Sequence, residues 1–84
     1  MRQIEFYRGE TGRSPVEEYF DSLSNKQFEK ILFILDLIEQ IDIVPRKFFK
    51  KLKNTDSIWE VRVQYGNDIF RILGLSLMEM ILLF

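Results

Sequence analysis

The sequence contains neither cysteine nor histidine. Without cysteine, the chain has no disulfides, thiolate metal sites or thiol nucleophiles. Without histidine, it lacks the side chain that most often acts as a general base near neutral pH and most often binds metals. Any catalysis by this chain therefore has to use lysine, arginine, tyrosine or carboxylate side chains, and we expect no metal and no other cofactor.

Long apolar runs are also missing. No window approaches the roughly 20 apolar residues of a membrane span, and the N-terminal segment MRQIEFYRGE lacks the apolar centre of a signal peptide. We therefore expect a cytoplasmic protein that does not bind membranes. The 84 residues are 46% hydrophobic and 30% charged, a composition typical of one small folded domain, here residues 1–84.

Hydrophobic periodicity predicts one strand and two helices in the first half of the chain. Apolar and polar residues alternate over residues 2–8, as they do in a half-buried strand. Ser14 and Ser24 each precede a segment with helical spacing and are suitable N-cap residues. Pro45 is expected to end the second helix, because proline cannot continue a helix.

The second predicted helix is more apolar than a single buried stripe requires. Phe33, Ile34 and Leu37 lie off the stripe that runs from Phe28 to Ile41. Either the helix packs between the first helix and the sheet, or these side chains form a surface that binds a partner. We favour the first alternative.

Three further strands are predicted in the second half of the chain. Residues 59–65 and 69–75 flank a hairpin turn at Gly66-Asn67, and residues 77–84 follow as a third strand after a break at residues 74–76. The predicted order is β-α-α-β-β-β. This is an α+β fold in which an antiparallel sheet is covered on one face by two helices.

Cationic side chains concentrate between residues 46 and 71. This segment holds seven lysines and arginines and three carboxylates, whereas residues 1–45 hold five cations and nine carboxylates. Such segregation is typical of a protein that binds a phosphate-rich partner, although a solvated lysine-rich loop is an equally good interpretation of the basic run alone. The cations of the segment are Arg46, Lys47, Lys50, Lys51, Lys53, Arg62 and Arg71.

Two of these arginines are predicted to lie side by side. A two-residue turn at Gly66-Asn67 places Arg62 directly opposite Arg71, about 5 Å apart on the solvent-facing side of the sheet, and two such cations favour a bound anion. A three-residue turn would leave them diagonal, and an ion pair with Glu60 would occupy Arg62 instead. The lysines expected to join this site from the preceding loop are Lys50, Lys51 and Lys53.

Three segments, GRSPVEEYFDSL, KKLKN and IWEVRVQYGNDIFRIL, in this order and spacing, resemble the phage-derived RelE/HigB-type toxins of bacterial toxin–antitoxin systems. The most specific part is a K-x-L element followed by W-E, a hydrophobic residue and R, and then by F-R-I. The resemblance covers nearly the whole chain and implies a compact β-α-α-β-β-β fold that enters the ribosomal A site and cuts mRNA. It also implies an antitoxin partner, often a helix-turn-helix repressor, that holds the toxin inactive.

The resemblance assigns roles to the basic residues. It implies that Arg62 and Arg71 hold the scissile phosphate while the RNA 2′-hydroxyl attacks it, which suits a chain without histidine or cysteine. It implies further that Lys51 or Lys53 stabilises charge or donates a proton. The residues expected to contact the rest of the RNA are Arg46, Lys47 and Lys50.

The resemblance leaves alternatives open. Family members usually continue after the last strand into a basic run and a C-terminal helix, whereas this sequence stops at Phe84, so we expect weak cleavage or none. The chain would then act as a module that binds its antitoxin. The apolar residues 77–84 would also be less covered, which favours a homodimer or contact with the antitoxin. A toxin of the related ParE type, acting on DNA gyrase, is disfavoured because the arginine and lysine cluster suits RNA cleavage.

Overall fold

A computed structural model describes residues 2–84 as a mixed five-stranded sheet with two helices on one of its faces. The predicted α+β class and the helix-covered sheet are confirmed. The predicted order β-α-α-β-β-β lacks a short strand that precedes the hairpin, and the sheet is mixed where an antiparallel one was predicted, because the first and last strands pair in parallel. The strands lie in the order β1-β5-β4-β3-β2, and all neighbours are antiparallel except β1 and β5, which are parallel. The elements are β1 (Gln3–Phe6), α1 (Pro15–Asp21), α2 (Asn25–Gln40), β2 (Phe49–Lys51), β3 (Ile58–Tyr65), β4 (Asp68–Leu77) and β5 (Met80–Leu83).

Both helices begin at the predicted serine caps. The Ser14 hydroxyl accepts a hydrogen bond from the main-chain N–H of Glu17, and the Glu17 carboxylate forms an ion pair with Arg8. Ser24 and Gln27 form a complete capping box, with reciprocal bonds of 3.2 Å and 3.0 Å. Each cap satisfies N–H groups that have no partner within the helix, and this fixes where the helix starts.

The second helix ends at Gln40, before the predicted stop at Pro45, and the side chain of Arg2 caps its C-terminus. The Arg2 guanidinium donates hydrogen bonds of 3.1 Å, 2.7 Å and 2.6 Å to the main-chain oxygens of Ile38, Ile41 and Asp42. These oxygens lie where α2 ends, and a cation there also complements the helix dipole. Residue 2 therefore ties the start of the chain to the end of α2.

The hydrophobic core lies between the helices and the sheet. Ile34 is buried within it, whereas Phe33 is 62% exposed, so only part of the extra apolar surface of α2 packs inward. No helix among residues 2–84 is long and apolar enough to cross a membrane. The buried core residues are Val16, Phe20, Ile31, Ile34, Leu35, Ile38, Phe49, Val61, Val63, Phe70, Ile72, Ile81 and Leu83.

The predicted break at residues 74–76 is wrong. Strand β4 continues through Gly74 to Leu77, and the turn to β5 follows at Met78, which has a positive φ of 55°. A Cβ atom on Gly74 would lie 2.9 Å from Cγ2 of Ile81 and 3.0 Å from Cδ2 of Leu83. Glycine is therefore needed at position 74 because the side chains of Ile81 and Leu83 pack directly against the backbone of β4, and not because the chain turns there.

We expect Gly74→Ala to reduce the free energy of unfolding by about 1–3 kcal/mol, because the added methyl group overpacks the core. Urea denaturation followed by circular dichroism measures this change. Gly9→Ala is the matched control, since its Cβ would have no neighbour nearer than 4.0 Å. Equal stability of the two variants would contradict the close approach at Gly74.

Candidate functional site

The turn between β3 and β4 sets the geometry of the predicted arginine pair. Tyr65 pairs with Asp68, which leaves a two-residue turn, and Gly66 adopts a φ of 61° that suits glycine at this position. In this register Arg62 lies directly opposite Arg71. The expected pairing of the two arginines is confirmed.

Both arginines lie on the face of the sheet turned away from the helices, as expected. Their neighbours Val61, Val63 and Ile72 are buried in the core, whereas Arg62 is half-buried and Arg71 exposed. We call the face that carries Arg62 and Arg71 the open face. Because side chains alternate along a strand, every second residue of β3 and β4 shares it.

The backbone brings the two side chains particularly close. The N–H of Arg62 donates a 2.8 Å hydrogen bond to the main-chain oxygen of Phe48, on the side away from Arg71. Arg62 and Arg71 therefore form a non-hydrogen-bonded antiparallel pair, in which Cα atoms are about 4.5 Å apart and side chains are closest. Two cations in this position repel each other unless an anion lies between them.

Within residues 2–84, no carboxylate lies in ion-pair range of either guanidinium. The alternative pair between Arg62 and Glu60 is thus not formed. Ion pairs occur elsewhere, between Arg8 and Glu17 and between Arg13 and Glu18. The open face therefore presents two adjacent cations without a counter-ion from the described chain, an arrangement that can bind a phosphate through bidentate hydrogen bonds.

Lys50 extends the cationic site across a third strand. The segment that was predicted as a loop before the hairpin contains β2, in which Lys50 lies opposite Glu60 of β3. Glu60 and Arg62 share the open face, so Lys50 is a diagonal neighbour of Arg62, about 7–8 Å away. Lys50, Arg62 and Arg71 thus share the open face on β2, β3 and β4, with Lys50 directly opposite Glu60 and diagonal to Arg62.

Lys51 and Lys53 lie away from the arginine pair, contrary to the prediction that they join it. Lys51 pairs with Trp59 and lies on the helix side of the sheet, because it alternates with Lys50. Lys53 lies in the turn after β2 and follows Leu52, whose N–H donates a hydrogen bond to the main-chain oxygen of Ile58. Ile58 itself is about 13 Å from Arg62 along β3. Neither lysine is therefore placed to act on a phosphate held by the two arginines.

The remaining predicted RNA-binding residues divide between two clefts. Arg46 lines a cleft of about 450 Å³ at the outer edge of β2, together with Lys51 and the stacked rings of Phe49 and Trp59, whose centroids are 4.4 Å apart. Lys47 lines a cleft of about 630 Å³ that also includes Arg62 and a lysine that sequence reasoning missed, Lys30 of α2.

Tyr19 of α1 packs against the ring of Phe70, the residue before Arg71 on β4. Tyr19 and Arg71 line a small cleft of about 220 Å³, and Tyr19 is 38% exposed. Burial raises the pKa of the Tyr19 phenol above its usual value of 10. The phenol therefore keeps its proton at neutral pH, but it lies on the helix side of the sheet, whereas the Arg71 side chain lies on the open face.

We expect Arg62→Ala and Arg71→Ala to leave the melting temperature unchanged or to raise it, because each removes a like-charge contact. Any gain should shrink at high salt, which screens the repulsion. Arg2→Ala is the contrasting variant, since losing its three hydrogen bonds to the end of α2 should cost about 1–3 kcal/mol. Thermal melts in which Arg62→Ala destabilises as strongly as Arg2→Ala would refute the unpaired geometry.

Comparison with known proteins adds one match. The family model described as "Phage derived protein Gp49-like (DUF891)" matches residues 18–79, a range that contains both arginines and all five lysines and arginines of residues 46–53. No curated protein and no solved structure matches the chain. The matched range is 62 of the 84 residues. The chain therefore belongs to the Gp49-like family of phage-derived proteins, a family associated with toxin–antitoxin systems and related to the RelE-type toxins.

Proposed function

We propose that this protein is the toxin of a toxin–antitoxin system and cleaves mRNA in the ribosomal A site. The observation that carries the proposal is the direct pairing of Arg62 with Arg71 on the open face, without a carboxylate partner among residues 2–84. A pair of unpaired guanidinium groups costs stability and is suited to a phosphate. Membership of a family associated with toxin–antitoxin systems supports the same conclusion.

The proposed chemistry needs no cofactor. The 2′-oxygen of the RNA attacks the adjacent phosphorus and the bond from phosphorus to the 5′-oxygen breaks, which leaves a 2′,3′-cyclic phosphate and a 5′-hydroxyl. The 2′-hydroxyl proton passes to water. Arg62 and Arg71 hold the non-bridging oxygens and stabilise the charge that develops on them. Lys50, the lysine that shares their face, donates a proton to the departing 5′-oxygen in place of Lys51 or Lys53.

In the proposed mechanism the ribosome positions the RNA for cleavage, because this chain has no general base that titrates near neutral pH. The sequence has no histidine, so no side chain of this chain has an ordinary pKa near neutrality with which to remove the 2′-hydroxyl proton. Cleavage must then depend on holding the 2′-oxygen in line with the bond that breaks, which contributes to catalysis by positioning. We propose that the ribosome fixes the mRNA in this conformation and that the toxin binds mRNA and ribosome together.

An antitoxin would hold the toxin inactive, and a helix-turn-helix protein is the proposed type. The helical side of the molecule offers it an apolar contact, since Leu32 and Phe33 of α2 are 42% and 62% exposed. An antitoxin that packs on α2 would cover these two side chains. This surface lies on α2 and is separate from the open face.

We expect Arg62→Ala and Arg71→Ala each to slow cleavage of ribosome-bound mRNA by an amount equivalent to about 2–4 kcal/mol, because each loses one donor to the phosphate. Primer extension on a defined translation complex measures the rate. Arg62→Lys and Arg71→Lys should retain charge but lose the bidentate contact, and so give intermediate rates. Arg13→Ala, which removes a cation that is paired with Glu18, should cleave normally. Full activity of both alanine variants would contradict the mechanism.

Cleavage should also require the ribosome. The expected result is that any cutting of mRNA occurs within a translation complex, with less or no cutting of the same RNA alone, since positioning is the main contribution to rate. Purified protein is incubated with both substrates at equal RNA concentration, and the products are mapped. A control with ribosomes whose A site is occupied by tRNA should block cleavage. Equal cutting of free and ribosome-bound RNA would count against the proposal.

A further inference from the structure

A cationic cleft lies beside the arginine pair, at the edge of β3. We call it the β3 edge cleft; it has a volume of about 630 Å³ and no acidic residue lines it. Arg62 belongs both to this cleft and to the open face. The cleft therefore continues the cationic surface from the arginine pair towards α2. Its lining residues are Lys30, Lys47, Phe48, Arg62, Gln64 and Gly66.

The cleft exists because β2 is much shorter than β3. Strand β2 begins at Phe49, and the last bond across this edge runs from the Arg62 N–H to the main-chain oxygen of Phe48. N–H groups two residues apart on a strand point the same way, so the Gln64 N–H also points outward at this edge, beyond the end of β2. It faces the cleft as an available main-chain donor.

Aromatic rings, and not carboxylates, hold the two lysines of the cleft. The Lys47 ammonium lies 4.9 Å from the ring centre of Phe48, and the Lys30 ammonium lies 5.9 Å from that of Phe33. Neither lysine has an ion-pair partner in the part of the chain that the structure describes. A cation–π contact orders an ammonium group without neutralising it. Both charges thus remain available to an anion.

We propose that the β3 edge cleft binds a second backbone phosphate of the single-stranded RNA, next to the phosphate held by Arg62 and Arg71. This inference rests on the proposed function, because it takes RNA as the ligand of the open face. Lys30 and Lys47 neutralise the second phosphate, the Gln64 N–H donates a hydrogen bond to it, and Arg62 lies between the two sites. The cleft would fix the direction in which the strand crosses the sheet.

The test measures binding without cleavage. A fluorescently labelled single-stranded RNA with 2′-O-methyl groups cannot be cut, and its affinity is measured by anisotropy over a range of salt concentrations. Each phosphate contact contributes about 0.7 to the slope of log affinity against log salt for single strands. Because the two lysines neutralise one phosphate, we expect the double variant Lys30→Gln with Lys47→Gln to reduce the slope by about 0.7. Each single variant should reduce it by part of that amount and weaken binding at low salt. Circular dichroism confirms that the variants fold.

Lys26→Gln is the matched control, because Lys26 is an exposed lysine one helical turn before Lys30 that does not line the cleft. It should keep the slope of the unaltered protein. A slope that is unchanged in Lys30→Gln and Lys47→Gln, or reduced equally in Lys26→Gln, would overturn the second site.

A polyglutamate peptide serves as the competing anion. If the two lysine variants lose affinity for polyglutamate as strongly as for RNA, the cleft binds acidic polypeptide and the proposal is wrong. The outcomes also separate this inference from the function on which it rests. Loss of cleavage in Arg62→Ala with unchanged binding slopes in the lysine variants would refute the second site alone. Reduced slopes in a protein that never cleaves RNA would refute the nuclease alone.

Discussion

The pairing of β3 with β4 determines most of what this molecule presents to a partner. The two-residue turn at Gly66-Asn67 sets the register, and Gly66 adopts a positive φ that few other residues tolerate. A slip of one residue would turn Val61 and Val63 outward and the arginines into the core. The hydrophobic core and the cationic face are therefore specified together, because burying one side of β3 exposes the other.

The hairpin was predictable from the sequence because two independent signals agree there. The alternation of apolar and polar residues gives the faces of both strands, and Gly66-Asn67 gives the turn. The serine caps were equally clear. Other elements escaped prediction for physical reasons. Strand β2 has only three residues, two of them lysines, and its formation depends on the neighbouring strand. The parallel pairing of β1 with β5 is likewise a tertiary contact that no local pattern encodes.

Within the candidate site, the arginines could be placed from the sequence, whereas the lysines and the helix residues could not. Arg62 and Arg71 could be placed by counting from a turn, whereas the order of the lysines could not, because a segment without a predicted strand has no defined faces. Once β2 is known, Lys50 falls on the open face and Lys51 on the opposite one. Lys30 and Tyr19 come from helices that pack near the hairpin. Their position near the hairpin is set by tertiary packing, and helical periodicity alone marks them as ordinary helix residues.

The parallel contact between β1 and β5 has a kinetic consequence. It pairs Gln3 with Met80, so two segments from opposite ends of the described sequence must meet before the sheet is complete. Contacts between residues so far apart in sequence cost loop-closure entropy before they contribute any stability, and they slow folding. The hairpin of β3 and β4 needs no such search, since its strands are joined by two residues. The cationic face can thus take shape early, while the far edge of the sheet is finished last.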